Sequence, residues 1–257
     1  MGRLDGKVAL VTGGSSGIGK SIALLYAKEG ADVVIISRKE EALKEVCKLN
    51  EQKITYMAGD ITQDDIVKKL AEHIKTKFGK LDILVNNAGW CPVQPLKEIK
   101  ISDYDKAFNL DVRALVNVTI ECLPLILKAK GNILNISTIG ATHRGPNLSM
   151  YAGAKSAVES FTRCWAQELA KDGVRVNCIA PGAIETNIWN VTDLSPEDAK
   201  KHKEGMTNFI PMGRFGTGEE VANVALFLVS NRRVMLLVLF ISWMEGRENL
   251  RKKIILN

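Results

Sequence analysis

The chain has 257 residues, 46% hydrophobic and 25% charged, an ordinary globular composition that excludes disordered, collagen-like and low-complexity classes. Of its net charge of +6, residues 232–257 supply +4 through Arg232, Arg233, Arg247, Arg251, Lys252 and Lys253 against Glu245 and Glu248, so the body has no nucleic-acid footprint. The five cysteines are scattered without metal-ligand spacing, and neither metal nor disulfide is expected.

In chain order, short β-branched runs predict buried strands at 7–12, 32–37, 54–58, 82–86, 132–136 and 174–179. Between them, helical periodicity predicts helices over 17–29, 39–50, 63–78, 103–128, 152–171 and 218–230. Near-continuous apolar strands alternating with helices imply a parallel sheet covered on both faces. Right-handed crossovers make it a doubly wound α/β sheet, here in a single domain over 1–231. The stretch 186–217, with Pro196, Pro211 and several glycines, is expected to be a lid. The longest apolar run, 234–244, is too short to span a bilayer, which takes about 20 residues. The first residues lack the apolar segment of a secretory signal, so the expected location is the cytoplasm, with no membrane partner.

The first strand runs into Thr12-Gly13-Gly14-Ser15-Ser16-Gly17-Ile18-Gly19 and then into a helix. Glycines there allow a tight turn and close approach of a pyrophosphate to backbone N–H groups at the helix N-terminus. Further along stand Asn86-Asn87-Ala88-Gly89 after the fourth strand, Asn109 in the long helical stretch and Ser137 after the fifth strand. Tyr151-Ala-Gly-Ala-Lys155 opens the next helix, and Pro181-Gly182 follows the sixth strand. In its Gly-x-x-x-Gly-x-Gly spacing and in the order of these motifs over residues 5–230, the chain resembles the short-chain dehydrogenase/reductase family.

Tyr151 and Lys155 share one helix face. A phenol with a pKa near 10 is a poor base at neutral pH, and a nearby ammonium is expected to pull that value down toward useful general acid–base chemistry. Ser137, at the carboxyl edge of the sheet, can hold a substrate oxygen, and adjacent Thr138 is the second candidate. The resemblance implies that Lys155 also holds a nicotinamide ribose and that Asn109 supports a helix kink and a water leading to Lys155. It further implies cofactor contacts from Gly13, Ser15, Ser16, Gly17, Ile18 and Gly19, from Asp60 (adenine) and Ile61, from Asn87, Ala88 and Gly89, and from Tyr151, Lys155, Pro181, Gly182, Ile184 and Thr186. Folds that prefer NAD carry an acid at the end of the second strand. Here Ser37 and Arg38 stand there instead, so NADP(H) is expected, with the guanidinium on the 2′-phosphate.

A bulky apolar alcohol or ketone, such as a hydroxysteroid, is expected against Trp90, Cys91, His143, Ile184, Trp189, Met206 and Phe209. The alternatives are a 3-oxoacyl-carrier-protein reductase, with Lys128, Lys130 and Lys171 as a docking patch, and a non-catalytic nucleotide-binding protein. The family implies a homotetramer built on helices 103–128 and 152–171 and a final strand. The ending departs from the family's Ser-Tyr-x-Thr-Gly and Asp-Gly-Gly. Read two nucleotides on from Val234, with synonymous codons chosen freely, the tail becomes Tyr-Val-Thr-Gly-Ile-Val-Tyr-Ile-Met-Asp-Gly-Gly-Lys. Its Asp is forced by Trp243 and Met244, and the next Gly by Met244 and Glu245. Residues 232–257 are therefore an atypical basic tail with two readings, a divergent final strand or the product of a frame shift, of which the shift is favoured.

Overall fold

The protein is described from a computed structural model, covering residues 2–142, 145–186, 212–230 and 240–242 with isolated positions 195, 197, 205, 207 and 210. The strands are β1 Val8–Thr12, β2 Asp32–Ser37, β3 Ile54–Ala58, β4 Ile83–Asn86, β5 Asn132–Ile136, β6 Arg175–Ala180 and β7 Phe240–Ser242. They form one parallel sheet in the order β3-β2-β1-β4-β5-β6-β7. The order reverses between β1 and β4, which opens a crevice at the carboxyl edge, where such sheets take ligands.

The helices are α1 Gly17–Lys28, α2 Glu40–Lys48, α3 Asp64–Phe78, α4 Ile101–Phe108, α5 Leu115–Ala129, α6 Ser149–Glu168 and α7 Gly218–Val229. Alternate strand residues face opposite ways, so the core divides. Val11, Ile35, Val85 and Ile136 pack with α1 and α7, while Leu10, Val34, Leu84 and Ile133 pack with α3 and α5. The helix expected over 103–128 is interrupted by a π turn at Asn109–Ala114. The extra residue per turn rotates the side chains of that segment, and such bulges often sit at functional sites.

At the amino edge, Asp82 clamps β1 to β4. Its carboxylate takes Lys7 Nζ at 2.9 Å, Lys80 Nζ at 2.9 Å and the Val8 N–H at 3.0 Å. Burial pushes this carboxyl up, but the two ammonium groups and the N–H outweigh it and hold it below the usual range. A buried polar chain crosses the sheet from α5 to α6. Asn86 Nδ2 donates to Thr119 Oγ1 and Asn135 Oδ1, and Asn135 Nδ2 donates to Thr162 Oγ1.

Candidate active site

The glycine loop is stitched to β4 by two residues. Thr12 Oγ1 accepts the N–H groups of Asn87 and Ala88, each at 3.0 Å. Asn87 Nδ2 donates to the Thr12 carbonyl at 2.9 Å and the Gly13 carbonyl at 3.3 Å. Gly13 needs its glycine for two reasons: φ is +67°, and a Cβ would meet Asn87 Nδ2 at 2.9 Å. A Cβ on Gly19 would lie 2.5 Å from the same amide nitrogen. Ser16 starts α1 without a side-chain cap, Ser15 precedes it in the loop and Ile18 lies in the first turn of the helix. Thr186 packs against Gly17, whose Cβ would be 3.2 Å from it. Ile184 bridges Gly216, and the Pro181 carbonyl beside Gly182 accepts the Ile139 N–H at 2.9 Å.

At the end of β2 the Ser37 hydroxyl is buried without a hydrogen-bond partner, and Arg38 is exposed with no ion pair among the described residues. Asp60 uses Oδ1 to hold its own turn, accepting from the Thr62 N–H and hydroxyl at 3.0 and 2.8 Å. Ile61 is buried in the core.

Two hydroxyls and an ammonium meet over β5. Tyr151 stands on the first turn of α6, and the neighbouring Thr138 side chain acts on its phenol. The Thr138 Oγ1 also accepts the Gly140 N–H at 3.2 Å. Lys155, one turn on and 3% exposed, donates to the Ile136 carbonyl at 3.1 Å and lies 5.8 Å from the Tyr151 ring centre. Its ion-pair partner is Asp111 Oδ1 at 3.1 Å, with Asp111 fully buried. Asp111 Oδ2 accepts the Trp90 N–H at 3.0 Å. Gly89 makes room for the pair: a Cβ there would be 2.5 Å from Asp111 Oδ1 and 3.2 Å from Lys155 Nζ.

The geometry departs from the sequence expectation at two points, Ser137 and the Tyr151 phenol, and adds a residue at a third. Ser137 faces away from Tyr151. Its hydroxyl donates to Glu159 Oε1 at 3.0 Å, because the backbone here is extended and neighbours point to opposite sides. Thr138, the second candidate, takes the position facing Tyr151. Asn109 is half-buried and opens the π turn that breaks the helix, while the direct partner of Lys155 is Asp111. Two helical steps turn a side chain by about half a revolution, and Asp111 carries the contact. The expected fall in the Tyr151 pKa is also reversed. Burial first, then the electrostatic influence of Cys91 and Asp111, push the phenol well above its ordinary value, while Thr138 opposes the shift.

Asp111 went unnoticed in the sequence, though a carboxylate among Phe108, Leu110, Val112 and Ala114 signals a buried partner. Burial pushes its carboxyl up, while Lys155 and the Trp90 N–H oppose that shift. Trp90 and Cys91 are both buried, with Lys106 Nζ 3.7 Å from the centre of the Trp90 ring. Burial raises the Cys91 thiol to about 12. His143, Trp189, Met206, Phe209 and most of 186–217 lie outside the described residues.

A family profile described as enoyl-(acyl carrier protein) reductase matches residues 13–236. The chain belongs to the short-chain dehydrogenase/reductase family. It is therefore an oxidoreductase of the class acting on CH–OH or keto groups. A 3-oxoacyl-(acyl-carrier-protein) reductase of Thermotoga maritima is 40% identical over 233 residues, covering 89% of this chain and 92% of that protein. (+)-Borneol dehydrogenase 2 of Salvia officinalis is 36% identical, covering 89% of this chain and 84% of that one. The crystal structure of a 3-ketoacyl-(acyl-carrier-protein) reductase from Brucella melitensis, complexed with NADH, superposes with a TM-score of 0.84 at 32% identity. It covers 93% of this chain and 98% of that one. Among the described residues no helix is long and apolar enough to cross a membrane.

Proposed function

We propose that this family member interconverts a ketone and a secondary alcohol with NADP(H), using Thr138, Tyr151 and Lys155. The observation that carries the reading is the Thr138–Tyr151 hydroxyl pair backed by the buried Lys155 ammonium, at the same sheet edge as the glycine loop. The residues fit a dinucleotide. The loop floor around Gly13 and Gly19 has no room for a side chain, the first turn of α1 lacks a side-chain cap, and the Ser37 hydroxyl is buried without a partner. Gly13, Gly17 and Gly19 would face the pyrophosphate. Ser37 and exposed Arg38 would take the 2′-phosphate, and Lys155 the nicotinamide ribose. When bound, the nicotinamide exchanges a hydride with the substrate carbon.

In the reductive direction the carbonyl oxygen accepts hydrogen bonds from Thr138 and Tyr151. Both donors stabilise the negative charge that develops on that oxygen. Tyr151 then passes its proton to the alkoxide and is left as phenolate facing Lys155. Ser137 supports from behind, through Glu159.

The buried Trp90 and Cys91 favour a bulky apolar carbonyl compound. A carrier-protein thioester is the second reading, favoured by the Thermotoga maritima relative. Lys128 and Lys130 precede β5 and Lys171 precedes β6, at the amino edge opposite the site, so they do not serve it as a docking patch.

A panel of a ketosteroid, an alicyclic ketone, a β-ketoester and an acyl thioester, followed by NADPH absorbance, tests the substrate class. Tyr151→Phe should abolish turnover and leave NADPH binding largely intact; a variant that keeps a tenth of the rate overturns the assignment. NADPH should bind more tightly than NADH by fluorescence. Arg38→Ala should cost NADPH about tenfold or more, the value of a charge-assisted contact; equal affinities would count against NADP(H).

A further inference from the structure

We propose that Asp111 is a positioning residue that holds the Lys155 ammonium in a neutral buried pair and so keeps Tyr151 protonated, poising the site to give a proton at neutral pH. The inference rests on Tyr151 as the proton donor, but on no particular substrate. Lys155 is held from two sides, by the Ile136 carbonyl and by Asp111 Oδ1, each at 3.1 Å. Asp111 is in turn held by the Trp90 N–H on its other oxygen. The absence of a side chain at Gly89 is what allows the two charged groups to meet there.

The electrostatics follow from these distances. An isolated ammonium this close, 5.8 Å from the centre of the Tyr151 ring, favours phenolate. A carboxylate 3.1 Å from that ammonium cancels most of the field, since from the ring the two charges form a compact dipole. The other groups around the phenol leave this balance in place. Thr138, past β5, acts on the phenol as a neutral side chain. Cys91, after β4, is a buried thiol raised to about 12, hence uncharged at neutral pH. Glu159, one turn beyond Lys155 on α6, is paired with Ser137 and with Arg163 at 3.7 Å. Lys106 of α4 sits over the outer face of Trp90. Asp111 is thus the group that decides how much of the Lys155 charge Tyr151 feels.

The test reads the phenol directly. Label the protein with carbon-13 at tyrosine Cζ and follow its four tyrosines by NMR against pH, assigning Tyr151 with Tyr151→Phe. Asp111→Asn should lower the Tyr151 titration midpoint by about one pH unit or more, a tenfold gain in phenolate. Asp111→Glu should titrate like wild type. A midpoint in Asp111→Asn at or above the wild-type value overturns the proposal. Should that variant fail to fold, the double variant Asp111→Asn with Lys155→Met replaces the pair by an uncharged one of similar volume, a change that buried pairs tolerate. Its Tyr151 midpoint should stay within about half a unit of wild type; a rise of about one unit or more would mean that the ammonium acts uncompensated, and overturns the proposal. Turnover by Tyr151→Phe would sink the proton-donor reading and leave the titration result standing by itself.

Discussion

Thr138 and Ser137 are adjacent hydroxyls with opposite surroundings, and the proposed mechanism gives them different roles. Ser137 is 3% exposed and bonded to Glu159, whereas Thr138 is half-buried and faces Tyr151. Thr138 Oγ1 accepts the Gly140 N–H, and in the proposed mechanism its own proton goes to the substrate oxygen. Its β-branch also restricts χ1. Thr138→Val should therefore lower kcat/KM by about a hundredfold or more, the usual loss for a missing oxyanion donor. Thr138→Ser should keep most of the activity. Ser137→Ala should change kcat little and lower stability by about 1–2 kcal/mol, since Glu159 loses a buried donor. Steady-state kinetics at saturating NADPH and urea midpoints check all three; a larger kinetic loss in Ser137→Ala than in Thr138→Val would reverse the assignment.

The elements meet at two edges with different tasks. At the amino edge, the start of β4 is tied to β1 by Asp82, whose side chain is 5% exposed and takes both Lys7 and Lys80. Asp82→Asn should cost about 1–3 kcal/mol at neutral pH, as for loss of a buried charged acceptor. The folded carboxyl is held below its ordinary value. Its contribution is therefore present above the unfolded value, near 3.9, and disappears as pH falls through the lower folded value. Wild type should thus lose its advantage over Asp82→Asn progressively as pH falls below about 4. Urea midpoints at neutral and acid pH would show the two converge; a constant gap would place the contribution outside the charge. At the carboxyl edge, the π turn between α4 and α5 swings Asp111 onto Lys155. A regular helix through 103–128 would carry that side chain elsewhere.

At the scale of the whole molecule, the carboxyl edge carries the site and both faces of the sheet are sealed by helices. The last strand is added at the β6 side, where Cys178–Ala180 pairs with Phe240–Ser242. The family match runs to residue 236, just after Arg232 and Arg233, where the chain turns basic. The tail places four cations, Arg247, Arg251, Lys252 and Lys253, close behind that strand in sequence. Unpaired charge at an interface core is costly. Exchanging residues from 234 onward for Tyr-Val-Thr-Gly-Ile-Val-Tyr-Ile-Met-Asp-Gly-Gly-Lys should raise the melting temperature by several degrees, about what 1–2 kcal/mol gives in a chain of this size. The exchange should also favour a tetramer by light scattering. A native tail that already supports a stable tetramer, with no gain from the exchange, would remove the physical ground for the shifted reading.

What the sequence determined by itself follows from local periodicity and composition. Six strands, most of the helices, the glycine loop and the Tyr151–Lys155 face lie within short windows, where apolar alternation and glycine placement leave little choice. Even the inward turn of Ser137 was written in the alternation of Asn135 and Ser137 along β5, since both bond toward α6. The partner of Lys155 was not. A helix-period pattern over 103–128 carries no mark of where one extra residue enters the turn. Only packing of that segment against Gly89, Trp90 and α6 decided that Asp111 meets the ammonium. The protonation of Tyr151 was likewise beyond sequence. It depends on burial and on a charge 40 residues away in the chain, both of which exist only once the elements are assembled.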